Sequence, residues 1–252
     1  MNTTFSKRPY LKMVEILNET IPFIVAQKLW KGFLQQKTVL YLTIFLGLTV
    51  PITLFNYFGK KIENIDENET VEMGLGSINL GDATSIFGGY HKYVVMMLFA
   101  MFITYFMYKT LDVLSEFNGK VTLKEFFDSQ IRYIVVSVRN WIAELAITIV
   151  ISIVLGVFGP DWLKPLSKFL VGAYFLGYLF FDGYFHIFNM KIKESNHHIK
   201  KHITAVLVLG VVVKLLFAIP YVGAIIGSII GAVAATWYLH TSEERQIFTE
   251  TI

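Results

Sequence analysis

The sequence predicts an all-α, polytopic membrane protein, and three observations predict it. Of 252 residues, 54% are hydrophobic and only 16% charged, with a mean hydropathy of +0.55. A soluble domain carries about a quarter charged residues. Several apolar runs approach the roughly 20 residues that a helix needs to cross about 30 Å of hydrocarbon. Lysine and arginine are unevenly divided between the connections on the two sides of these runs, as cytoplasmic and external loops are.

Taken in order, residues 1–37 form an amphipathic N-terminal segment. Leu11, Ile16, Ile21, Phe23, Ile24, Leu29 and Trp30 alternate there with lysines. Such a segment suits a membrane interface, and Pro22 is expected to break or kink it. The membrane domain follows over 38–240. Its first run is Val39–Phe58, and Gly59–Lys92 is an acidic, Asn/Gly-rich loop expected to hold little regular structure. The second run is Tyr93–Tyr108, extending past Leu111. A charged, partly helical connection covers 109–140, where Thr122 and Glu125 have capping-box spacing. The third run, Trp141–Phe158, turns through Gly159-Pro160 into the fourth, Leu166–Phe188. A basic loop, Met190–Lys201, leads to the fifth run, Ile203–Ile219. The turn at Ile219-Pro220-Tyr221 joins it to the sixth, Tyr221–Leu239, and 241–252 is a polar tail.

Backbone groups in lipid must pair internally, so the runs are predicted as about six helices. The last four form two hairpins with Gly/Pro tips, which either cross fully or re-enter from one side. With six crossings, sixteen of the 22 Lys and Arg fall on the side of the termini and five on the other, Lys214 lying within a run. Both termini are therefore placed in the cytoplasm.

Several chemistries lack their residues. There is no cysteine, hence no disulfide, thiolate-bound metal or thiol nucleophile. No His-Glu-x-x-His, Gly-x-Ser-x-Gly or phosphate-binding Gly-rich loop is present, so no enzyme, cofactor or metal is expected. The histidines of the basic loop, His197, His198 and His202, sit among lysines and read as a surface for anionic headgroups. Basic residues flank apolar runs, so nucleic acid is not an expected partner. Neither a cleavable leader nor a lipidation box is read at the ends.

Gly172-Ala173-Tyr174-Phe175-Leu176-Gly177-Tyr178, followed by Phe181-Asp182-Gly183-Tyr184, resembles a helix of the CysZ/etoposide-induced-protein family. Ile219-Pro220-Tyr221-Val222-Gly223 and Ala234-Ala235-Thr236-Trp237 resemble that family's ending, and Asn118–Thr122 with Arg132 and Arg139 also fits. The resemblance covers about residues 110 to 240. It implies an all-helical inner-membrane protein of bacteria, often oligomeric, with hairpins that only partly penetrate the bilayer. The CysZ branch implies sulfate entry into the cytoplasm. This chain departs from that branch at Lys31-Gly32-Phe33-Leu34-Gln35-Gln36, which lacks the branch's arginine, and at Asp182-Gly183-Tyr184, where Gly183 is inserted. The resemblance thus implies a small anion without fixing it as sulfate.

Ionisable residues inside apolar runs are functional candidates by default. Asp182 and His186, four apart, share a helix face and read as an interfacial pair or as part of a path. Lys214 either snorkels or attracts an anion, and Glu144 is expected to pair with Arg139 or Lys214. Pro220 and Gly223 mark the second hairpin tip. Gly223, Gly227 and Gly231 form a packing face at four-residue spacing. Two functions fit these residues. One is a permease or channel for a small anion, with Lys214, Asp182, His186, Glu144, Arg139, Pro220 and Gly223 as candidates for its path or gate. The other is a non-transporting scaffold or subunit, in lipid, joined to a second copy or to another membrane protein.

Overall fold

The structure is a computed structural model, and it describes residues 6, 8–31, 71–73, 76–78, 91–115, 123–160, 162–219 and 222–247. The described residues form seven helices and one short hairpin. The helices are α1 (Pro9–Gln27), α2 (His91–Ser115), α3 (Leu123–Phe158), α4 (Leu163–Ile187), α5 (Ile192–Lys200), α6 (Ile203–Phe217) and α7 (Val222–Ile247). Strands β1 (Val71–Met73) and β2 (Gly76–Ile78) pair antiparallel, with Val71 opposite Ile78 and Met73 opposite Gly76. The all-α prediction holds for the body of the chain. The described part of the acidic loop, expected to hold little regular structure, is this hairpin of two three-residue strands. The run Val39–Phe58, the capping-box residue Thr122 and Pro220 lie outside the described residues.

The predicted runs meet the helices closely, with two changes of extent. Between Leu123 and Leu155 there is no glycine or proline, so α3 continues from the charged connection through the third run for 36 residues, about 54 Å. It stops at Gly159-Pro160. The basic loop is also corrected, since residues 192–200 are helical. The Lys191 N–H donates to Glu194 Oε2 at 3.2 Å and satisfies one free end of that helix. Pro165 falls in the first turn of α4, where a backbone N–H has no helical partner to lose.

The core is built by α4, α6 and α7, with α2 against α7 and α3 against both α2 and α4. The closest approach is between α4 and α6. A Cβ on Gly177 would collide with the Val206 carbonyl, and one on Gly210 with the Ala173 carbonyl. Only glycine lets the two backbones meet there. Gly227 and Gly231 receive the rings of Phe217 and Phe180, and Gly223 sits against the Leu216 carbonyl at the hairpin turn. Helix α1 runs through Pro22 without the break that was one expectation there, and packs on α7 and α6 through Met13, Ile16, Thr20 and Phe23. The Phe23 and Trp237 rings lie 4.5 Å apart, and Lys12 Nζ reaches Ser242 Oγ at 2.7 Å. The N-terminal segment is thus part of the packed body up to Leu29.

Among the described residues, two helices are long and apolar enough to cross a membrane: Phe127–Val157 of α3 and Val222–Ser242 of α7. The expected six are not reproduced by that measure. Helix α6 is apolar but has only 15 residues, about 22 Å.

Candidate functional site

The site forms where α3, α4 and the turn into α5 meet. Arg132 lies between two and three turns into α3, between Ile131 and Tyr133. Its Nε donates to Asp182 Oδ2 at 2.8 Å and its Nη2 to Asp182 Oδ1 at 2.9 Å. Its Nη1 donates to the Met190 carbonyl. The Ser195 hydroxyl of α5 donates to Asp182 Oδ1 and accepts from Arg132 Nη2 at 3.3 Å. The side chains of Arg132 and Asp182 are 11% and 3% exposed, so the pair is screened from solvent. This bidentate, charge-assisted arrangement ties three helices together at one point.

His186, one turn beyond Asp182, lines the same crevice with Tyr133 and Gly183. The crevice leaves no room for a water molecule. A Cβ at Gly183 would run into the Tyr133 hydroxyl, which would have to move. Gly183, between Asp182 and Tyr184, therefore makes space for a side chain of α3.

A second cross-link sets the register of α3 on α4. Arg139 Nη2 donates to the Tyr178 hydroxyl at 2.7 Å, and the guanidinium stands 5.5 Å from the centre of that ring. Arg132 with Asp182 and Arg139 with Tyr178 fix the helices as antiparallel. Lys214 lies elsewhere. Its Nζ donates to the Phe169 carbonyl at 2.9 Å and sits 4.4 Å from the centre of the Phe169 ring. Phe169 precedes Asp182 by 13 residues, about 20 Å along α4. The structure therefore brings Asp182 and His186 together but keeps Lys214 at the far end, beside the Gly/Pro tips. Gly223 is at that same end. Both tips face one way, because the start of α4 meets the end of α6. Arg139 is engaged with Tyr178, and Glu144 lies about one turn further along α3.

Sequence reasoning missed Arg132 and Ser195 as the partners of Asp182. A signal was available: an aspartate within an apolar helix needs an opposite charge, and Arg132 is one of two arginines in the preceding long helix. The same helix holds a further feature. Tyr133, Ser137 and Asn140 are 4%, 0% and 2% exposed, and the Tyr133 hydroxyl, Ser137 Oγ and Asn140 Nδ2 have no hydrogen-bond partner. Among the described residues no three of His, Asp and Glu gather as metal ligands. His202 instead contacts the Tyr238 hydroxyl through Nδ1 at 3.1 Å.

No family model matches the chain, and no curated protein or solved structure matches it.

Proposed function

We propose that this protein is a multi-pass membrane protein of the bacterial inner membrane, with cytoplasmic termini, that conducts a small anion such as sulfate and is held here in a closed form. The observation that carries the reading is the Arg132–Asp182 pair, an ion pair buried between helices whose other residues are mostly apolar. Burying two charges costs several kcal/mol in desolvation, which a purely structural contact between apolar helices does not require. The pair is reversible by nature. Separating the two helix ends frees a guanidinium to meet an anion.

Three further features support it. Lys214 places a cation near the opposite end of the bundle, where an entering anion is attracted. Helix α6 is too short for full hydrocarbon thickness at about 22 Å, which suits a hairpin that enters the bilayer without crossing it. The resemblance over residues 110 to 240 points to the same class. No nucleotide-binding motif accompanies these residues, so flow in this reading is passive or driven by an ion gradient.

The scaffold reading draws on a different observation. Large apolar side chains stand exposed along α3 and the hairpin tips, Val150, Ile153, Val157, Trp162 and Val222 among them. A partner protein covers such a surface as readily as lipid does.

Uptake of radiolabelled sulfate into liposomes holding the purified protein separates the two. The permease reading expects saturable uptake above empty liposomes, sharply reduced in Lys214→Ala. Uptake equal to that of empty liposomes sinks it and leaves the scaffold.

A further inference from the structure

Helix α3 has two unlike sides. Ile131, Val135, Val138, Ile142 and Val150 are exposed and apolar. The other side carries Gln130, Tyr133, Ser137, Asn140, Glu144 and Thr148, spaced by three or four residues. At 100° per residue these six fall within about 80° of one helix face and extend about 27 Å along the axis. A polar stripe of that length on an apolar helix is not explained by packing, since apolar side chains would fill the same seam at lower cost.

The stripe is also unsatisfied where it is best buried. Native interiors pair nearly all their buried polar groups. Here three successive stripe members, Tyr133, Ser137 and Asn140, each bury a hydroxyl or amide nitrogen that has no partner. All three can donate a hydrogen bond. At one end of the row is Arg132, committed to Asp182. Beside its other end is Arg139, committed to Tyr178. The antiparallel register set by these two links puts the stretch of α3 near Glu144 level with Phe169, where Lys214 sits. The orphaned donors thus extend from the closed ion pair toward the lysine's end and stop short of it. Glu144 repels an anion, so the binding row ends at Asn140.

We infer that Tyr133, Ser137 and Asn140 form the binding row of a small anion inside the bundle, their donors replacing its water between Asn140 and the Arg132–Asp182 pair. The inference rests on the permease reading. The crevice is closed in this form, so entry requires the ion pair to part.

Tyr133→Phe and Ser137→Ala each remove one orphaned hydroxyl and almost nothing else. Both variants and the wild type are reconstituted, and sulfate uptake and the melting temperature are measured together. The expected result is uptake reduced at least tenfold in each variant, with the melting temperature unchanged or raised, because an unpaired buried group has been deleted. Wild-type uptake that both variants match overturns the binding row while leaving the permease intact. A fall in uptake that follows a fall in melting temperature also overturns it, since the hydroxyls are then structural. Absence of wild-type uptake removes the permease reading and the binding row with it.

Discussion

Helices α3 and α7 are both long and apolar enough to cross a membrane, yet their surroundings are opposite. In the most apolar stretch of α7, 72% of the residues are buried by protein, against 6% in α3. Helix α7 is the centre of the bundle and has small residues where neighbours press closest, with Ala232, Ala234 and Ala235 fully buried. Helix α3 is at the edge. It keeps large β-branched side chains outward and turns ionic and polar groups inward. Similar hydropathy therefore serves two purposes, one helix being apolar for its neighbours and the other for what surrounds the protein.

The difference can be attacked first at the pair that ties α3 to the core. Asp182→Ala leaves Arg132 buried without its partner and is expected to cost about 3–5 kcal/mol in unfolding free energy in detergent. The double variant Arg132→Met with Asp182→Leu should recover most of that loss. If the single substitution costs less than about 1 kcal/mol, α3 is not anchored by this pair.

A smaller effect is expected inside the core. Gly210→Ala puts a methyl against the Ala173 carbonyl and is expected to cost about 1–3 kcal/mol, read from the same unfolding curves. A neutral result would mean that α4 and α6 are not in close contact.

The smallest effect belongs to the outer face of α3. Val150 is 59% exposed, so Val150→Ala should change stability by less than about 0.5 kcal/mol. A cost above about 1 kcal/mol would show that a partner buries this face and would favour the scaffold reading.

Much of this was legible in the chain. Runs of apolar residues ending at Gly159-Pro160 and near Ile219 located α3, α4, α6 and α7 to within a few residues at their tips. The absence of glycine and proline between Leu123 and Leu155 was equally visible, but attention to charge divided α3 in two. Helix α5 was hidden because nine mostly polar residues show little hydropathy signal, and its helix rests on Ser195 and Ile199 packing inward. Asp182 stood out as a charge in an apolar run. Its partner did not, because Arg132 is 50 residues away in sequence.

The sequence by itself determined that the chain is helical, where its hairpins turn and which residues are out of place among apolar neighbours. These are local properties, set by hydropathy, backbone freedom and the cost of a lone charge. Only the tertiary structure decided which apolar helix is central and which peripheral, that Gly177 meets Gly210, and that Asp182 binds Arg132 and Ser195. The reason is physical: lipid tails and a protein interior are about equally apolar, so a side chain's preference for leaving water does not say which of them it will meet.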